Sequence, residues 1–164
     1  MTPAPDLPRV GLGIDVHRLM PGRPCVLGGV SFDSDVGPVG HSDGDAVLHA
    51  ACDAVLGAAG LDDLGSLFSD RDAANAGRDS AEFCREAMAK VRARGLAVWS
   101  LDVVVETEQP KLAPRRAAMR ARLAALFAVA EDRVNVKGKT GEKVDAVGRG
   151  EAIRATVVAL LGPA

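Results

Sequence analysis

The chain has 164 residues, with 20 basic against 22 acidic side chains and a formal net charge of −2. A chain of this size buries roughly two-thirds of its unfolded surface in one core, so a single domain over residues 9–164, behind a frayed leader at 1–8, needs no covalent staple. The near-neutral balance, with no basic run longer than Arg115–Arg116, excludes a protein that coats nucleic acid, and one Trp, four Phe and no Tyr exclude a base-stacking platform.

Three cysteines in irregular spacing, Cys25, Cys52 and Cys84, indicate neither a disulfide framework nor a thiolate zinc site, which fits reducing, cytoplasmic surroundings. The Pro-rich start lacks the basic and apolar segments of an export signal, and no stretch of about 18 uncharged apolar residues is available to span a membrane.

In chain order, residues 9–15 (R-V-G-L-G-I-D) alternate apolar and small side chains and predict a strand. Residues 24–27 and 30–32, parted by Gly28 and Gly29, predict a short hairpin. Residues 45–59 predict a helix, with Ser42 as its cap and Asp45 three residues on, as in a capping box. Its apolar face is Val47, Leu48, Ala51, Val55 and Ala59, and Gly60 is its stop. The Asp-rich stretch 61–77 reads as a long functional or mobile loop. A second helix is expected over 80–94, started by Asp79 and Glu82 and stopped by Gly95. The β-branched run within 96–106 predicts a central strand; Gln109 and Pro110 break it, and Pro114 opens a third helix that continues to residue 129. Strands at 134–136 and 152–161 flank a glycine-containing loop at 137–150. Strands interleaved with helices give an α/β (α+β) two-layer sandwich, with helices on one face of a mixed sheet. The other face would be bare, so association of subunits is expected to cover it.

The chemistry concentrates early. All three histidines, His17, His41 and His49, lie near Asp15, Asp43 and Asp45. In an extended chain Asp15 and His17 project to the same side, so carboxylate and imidazole can converge on one ion. With His49 from the first helix they make a three-ligand set that suits Zn²⁺ and leaves a fourth position open for substrate. A D-x-H triplet also arises by chance, and a helix histidine four residues from both Asp45 and Asp53 can simply be paired with either. His41, beside Ser42 at the predicted helix N-terminus, could instead hold a phosphate.

Farther along, Gly138 and Gly141 permit close approach of the backbone to a ligand, Thr140 offers a hydroxyl, and Glu142 is a hard oxygen ligand for Mg²⁺ on a phosphate. A polar surface loop is the alternative. The G-K-T at 138–140 is not a P-loop, because Arg133 stands where the earlier glycine is needed. Gly11 and Gly13 are not a dinucleotide fingerprint either, because Val16 occupies the third glycine position. Lys111 in Q-P-K-L could meet phosphate. Asp63, Asp70 and Asp72 could gate a ligand or be ordinary turn carboxylates.

Taken together, R-V-G-x-G-x-D-V-H, L-G-G-V, H-S-D-G-D-A-V-L-H-A, D-A-V-L-G-A-A, D-L-G-S-L-F-S-D-R-D, Q-P-K-L, V-N-V-K and G-R-G-E resemble the 2-C-methyl-D-erythritol 2,4-cyclodiphosphate synthases of the non-mevalonate isoprenoid pathway. The resemblance runs from Arg9 to Leu161. It implies a homotrimer with active sites between neighbouring subunits, and a lyase that releases CMP from 4-diphosphocytidyl-2-C-methyl-D-erythritol 2-phosphate as the cyclic diphosphate closes. By position it implies Asp15, His17 and His49 as Zn²⁺ ligands, Glu142 as the ligand of a second ion, Mg²⁺ or Mn²⁺, and His41 and Thr140 as transition-state stabilisers. Substrate contacts are implied for Asp15, His17 and His41 and for Ser42, Asp63, Leu64, Gly65, Phe68, Ser69, Asp70, Arg71 and Asp72. The cytidine diphosphate part would be met by Thr107, Pro110, Lys111, Leu112, Ala113, Lys139, Thr140, Gly141 and Glu142, with Ala146 and Arg149 as further contacts. Lys139 departs from the pattern, which often has Thr there. The same Asp/His set would also serve a metal-dependent phosphohydrolase, and a nucleotide-binding trimer without turnover would use the cytidine pocket alone. The products formed separate these readings.

Overall fold

Alternate glycines in the first strand let a helix rest directly on its backbone, and the rest of the fold is arranged around that contact. The computed structural model describes residues 7–40, 42–68, 75 and 77–164. Strand β1 (Arg9–Pro21) carries Gly11 and Gly13 on its inner face, and α1 (Ala46–Ala58) lies across them. A Cβ on Gly11 would stand 1.8 Å from the carbonyl oxygen of Ala54, and one on Gly13 would stand 1.9 Å from that of Ala50. Any side chain at either position would push the helix off the strand. Val47, Leu48, Val55 and Leu56 of α1 are fully buried, each contributing about 1.5–3 kcal/mol by removal from water.

The hairpin forms as expected from β2 (Cys25–Leu27) and β3 (Val30–Phe32), with Gly28 and Gly29 at φ of 61° and 70° in its two-residue turn. The main sheet has the order β4-β1-β7-β5-β6, with β4 at Val36–Pro38, β5 at Leu96–Glu106, β6 at Val134–Lys139 and β7 at Ala152–Pro163. Its β5–β6 pair is parallel and the others antiparallel, so the sheet is mixed. Besides α1, the helices are α2 (Leu64–Leu67), α3 (Ser80–Ala93) and α4 (Arg116–Phe127). Strand alternation turns Val10, Leu12, Ile14 and Val16 to the side away from α1, where they are 68, 59, 54 and 51% exposed. Val158 of β7 is exposed with them.

Several boundaries differ from expectation for local reasons. β1 does not stop at residue 15: it continues pairing with β7 and then with β4. β4 is a three-residue edge strand ending in proline and carries too little pattern to predict. The stretch 61–77 contains α2, whose N-terminus is capped by Asp63 accepting from the Ser66 N–H at 2.8 Å. The third helix opens with a 3₁₀ turn at Ala113–Arg115 and ends at Ala128, which takes the left-handed conformation (φ 54°) usually left to glycine.

The start of α1 requires a correction. Asp45, not Ser42, is its cap, accepting from Val47 N and Leu48 N at 3.1 Å each. The same carboxylate accepts from Gly28 N at 2.8 Å and Gly29 N at 2.6 Å, tying the hairpin turn to the helix. The N-terminal N–H groups of Val47 and Leu48 are therefore taken within the chain. Burial pushes the Asp45 carboxyl up to about 6, against the pull of the Gly29, Gly28 and Leu48 N–H groups.

All three cysteines are free and buried, Cys52 and Cys84 with sulfurs 3.3 Å apart between α1 and α3. Among the described residues no helix is long and apolar enough to cross a membrane. Of the expected leader, residues 1–6 lie outside the described residues.

Candidate metal centre

The pleat of β1 puts Asp15 and His17 on one side of the strand, with Val16 turned away between them. Because α1 sits on the bare backbone at Gly11 and Gly13, its His49 comes within bonding range of both. Asp15 Oδ2 lies 2.8 Å from His17 Nε2 and 3.1 Å from His49 Nδ1, and the two imidazole nitrogens are 3.3 Å apart. Asp15, His17 and His49 are all partly buried, and among the described residues they are the one group of three or more His, Cys, Asp or Glu that could hold a metal ion.

The rest of each ring is committed. The carbonyl of Val39 accepts from His17 Nδ1 at 2.7 Å, which leaves the Nε2 lone pair facing Asp15. His49 Nε2 lies 2.9 Å from Ser80 Oγ and 3.1 Å from Ser42 Oγ, which leaves its Nδ1 toward the other two ligands. Three electron-rich atoms thus face one another across about 3 Å, an arrangement that a shared cation satisfies. A tetrahedral ion with bonds of about 2.0–2.1 Å has ligand-to-ligand edges of roughly 3.3 Å, so the three residues fit one. Protons can stand in for that cation, with the rings then charged and donating to Asp15. Burial works against the Asp15 carboxylate, yet hydrogen bonds from His17 and His49 outweigh it and hold Asp15 well below the usual carboxylate range. For His17, burial is likewise outweighed by the hydrogen bond to Asp15, and its ring is pushed up.

The possible pairing of His49 with Asp45 or Asp53 is not what forms. The Asp45 carboxylate caps α1, and Asp53 accepts from Leu64 N at 2.8 Å. Asp53 joins the trio in lining a cleft of about 220 Å³, where burial pushes its carboxyl up. Ser42, Leu64, Gly65 and Phe68 line the same cleft, as the sequence suggested. Asn75 and Phe83 also line it and went unnoticed, since Phe83 reads simply as part of the buried stripe of α3. The Phe83 ring lies 4.9 Å from that of Phe68, and the Arg78 guanidinium stands 4.7 Å from its centroid. Asp63 lines neither this cleft nor the next, but caps α2 beside it. His41, Ser69, Asp70, Arg71 and Asp72 lie outside the described residues.

A second cleft, of about 190 Å³, gathers Thr107, Pro110, Lys111, Leu112, Ala113, Lys139 and Thr140, together with Arg116, which the sequence did not single out. The N–H of Thr107 donates to Lys139 O at 2.9 Å, fastening the end of β5 to the end of β6. Thr140 Oγ1 donates to Glu142 Oε1 at 2.7 Å, and Gly141 N donates to Glu108 Oε1 at 3.0 Å. Gly141, Glu142, Ala146 and Arg149 do not line either cleft, and Arg149 is ion-paired with Glu151 at 3.0 Å. The two clefts share no lining residue, so one chain brings together the metal trio and its loop but does not bring Thr140 or Glu142 to them.

With this geometry in hand, comparison with known proteins is decisive: the YgbB family model matches residues 8–162. The chain belongs to the YgbB family. One relative, the 2-C-methyl-D-erythritol 2,4-cyclodiphosphate synthase of Aromatoleum aromaticum, is 52% identical over 153 residues, covering 93% of each chain. A solved 2C-methyl-D-erythritol-2,4-cyclodiphosphate synthase in its CDP-bound form superposes with a TM-score of 0.87 at 42% identity, over 93% of this chain and 99% of that one. The bifunctional IspDF of Campylobacter jejuni superposes with a TM-score of 0.92 at 36% identity, over 96% of this chain and 43% of that one. These YgbB-family likenesses span both clefts, since the matched region includes Asp15 through Arg149.

Proposed function

We propose that the protein is a cyclodiphosphate synthase of isoprenoid precursor biosynthesis, which converts 4-diphosphocytidyl-2-C-methyl-D-erythritol 2-phosphate to 2-C-methyl-D-erythritol 2,4-cyclodiphosphate and CMP. The observation that carries this reading is the Asp15–His17–His49 triangle, in a chain 52% identical over 153 residues to a named cyclodiphosphate synthase. The substrate carries its own nucleophile. An oxygen of the 2-phosphate attacks the β-phosphorus, the bond from that phosphorus to the bridging oxygen breaks, and CMP leaves with the electron pair. The protein's task is then to fold the substrate back on itself, and no side-chain nucleophile is needed.

In this reading Asp15, His17 and His49 hold Zn²⁺, and Glu142 holds a second ion, Mg²⁺ or Mn²⁺. Bound ions supply Lewis-acid polarisation of the phosphoryl oxygens and offset their charge. Thr107, Pro110, Leu112 and Ala113 receive the cytidine, while Lys111 and Lys139 offer cations to its diphosphate. Ser42, Leu64, Gly65 and Phe68 enclose the methylerythritol end, with Asp63, Ser69, Asp70, Arg71 and Asp72 as further substrate contacts. His41 and Thr140 meet the charge that develops as the ring closes, and Ala146 and Arg149 complete the contacts.

The assembly is a homotrimer in this reading, with residues 9–164 as the single domain of each subunit. Support comes from the apolar face at Val10, Leu12, Ile14 and Val16, which a neighbouring copy would cover. The separation of the two clefts in one chain fits active sites shared between subunits. Free, buried cysteines fit a cytoplasmic protein.

Incubation of the protein with the substrate and divalent metal tests the reaction. CMP together with the cyclic diphosphate is expected; release of inorganic phosphate would show hydrolysis and overturn it. Sedimentation reports the assembly, with three subunits expected.

A further inference from the structure

Of the three residues of the metal trio, two lie on β1 and one comes from a helix. His17 is oriented by a main-chain carbonyl, a group that can only accept, so its tautomer needs no further help. The other ring of the trio has hydroxyls as its outer neighbours, and a hydroxyl can donate or accept. Left to themselves, Ser80 and Ser42 would not choose which nitrogen of His49 carries the proton.

We infer that Asp43 and Ser80 are positioning residues that make His49 a metal ligand through Nδ1. The inference rests on the reading of the trio as a metal centre. Asp43 accepts from Ser80 twice, from the hydroxyl on Oδ1 and from the backbone N–H on Oδ2 at 3.1 Å. An ionised carboxylate can only accept, so the single proton of Ser80 Oγ is committed to Asp43. Ser80 Oγ, 2.9 Å from His49 Nε2, then has only lone pairs to offer, and Nε2 must be the donor. The lone pair of the ring is thereby left on Nδ1, the atom that faces Asp15 and His17.

Burial makes the arrangement binding. Ser80 is wholly buried, so solvent does not compete for its hydroxyl. Ser42, the second hydroxyl near Nε2 at 3.1 Å, accepts from Gly44 N at 3.3 Å, and with Ser80 Oγ 3.4 Å away as an acceptor for its own proton it too turns a lone pair to Nε2. Ser80 is also the first residue of α3, so the docking of that helix sets where the hydroxyl stands.

The test is the apparent zinc affinity of the intact protein, measured by competition with a chromophoric chelator. Ser80→Ala is expected to weaken zinc binding on the order of 10–100-fold, the usual effect of losing an outer-shell partner. Asp43→Asn keeps size and shape, yet its amide would donate to Ser80 Oγ, release the hydroxyl proton toward Nε2 and put the ring proton on Nδ1. It should weaken zinc binding in the same direction. Asp79→Ala removes the cap that accepts from Ala81 N and leaves the Asp43–Ser80–His49 chain in place. It should lower Tm without changing zinc affinity. Wild-type affinity in both Ser80→Ala and Asp43→Asn overturns the inference, and so does an equal loss in Asp79→Ala, which would make helix docking the cause. A wild-type protein that binds zinc but forms no cyclic diphosphate defeats the proposed reaction and leaves this inference standing. One that binds no zinc overturns it.

Discussion

The two clefts are built from different materials. Around Asp15, His17 and His49, the outer ring nitrogens are fastened to the half-buried Val39 carbonyl and the buried Ser80 hydroxyl, and the supporting elements are the centre of a strand and the first turns of two helices. Around Thr107 and Thr140, the lining comes from strand ends and turns, and Lys111, Ala113, Arg116, Lys139 and Thr140 are all exposed. The contrast is one of division of labour. The Asp15, His17 and His49 side chains are held by main chain and by half-buried hydrogen bonds, as groups that meet a metal would need to be, while the second cleft is presented on strand ends and loops.

The strongest challenge to this contrast is His49→Ala, which removes one of three ligands. Turnover should fall by about 10³-fold or more, equivalent to at least ~4 kcal/mol on the barrier. Zinc content should fall with it, while CMP binding at the second cleft persists; full zinc occupancy by metal analysis would sink the ligand assignment. Next comes Gly13→Ala, whose methyl would stand 1.9 Å from the Ala50 carbonyl oxygen. Chemical denaturation should register a loss of about 3 kcal/mol, the upper end for overpacking, and zinc affinity should drop because α1 moves with His49. Lys111→Ala should weaken CDP binding about tenfold, roughly 1.4 kcal/mol by calorimetry, with Tm unchanged. The smallest effect is expected from Gly138→Ala. There the added methyl would meet only the Leu112 side chain, at 3.3 Å, and stability should stay within about 1 kcal/mol of wild type. A large loss at Gly138, or none at Gly13, would erase the distinction between the regions.

The metal trio was legible because its logic is local. D-x-H on a strand defines a face by the two-residue period, and H-S-D-G-D-A-V-L-H places a second imidazole at the start of a helix. The strand over 96–106 was legible for the same reason, since its β-branched run needs no distant partner to declare itself. Asp45 was misread because two of the four N–H groups it accepts from belong to Gly28 and Gly29, in a hairpin turn 16 and 17 residues away. Ser80 gave no signal at all. Its importance depends on Asp43 and His49 meeting it across α1 and α3, and a serine at the start of a helix has an ordinary explanation as part of that helix end. That the two clefts of one chain share no lining residue could not be read from residue spacing; only the family resemblance pointed to sites divided between subunits.

Gly11 and Gly13 bear on the choice of metal as well as on the fold. Where a helix packs on a strand through side chains, rotamer changes let the gap breathe, and a site spanning the gap can stretch around ions of different radius. Here the gap is closed by carbonyl oxygens against α-carbons, so the span from His49 to Asp15 and His17 is gauged by main-chain atoms that have no alternative rotamers. In the proposed metal centre, two absent methyl groups would thereby favour a small ion with short bonds over a larger one such as Ca²⁺, whose oxygen ligands sit at about 2.3–2.6 Å.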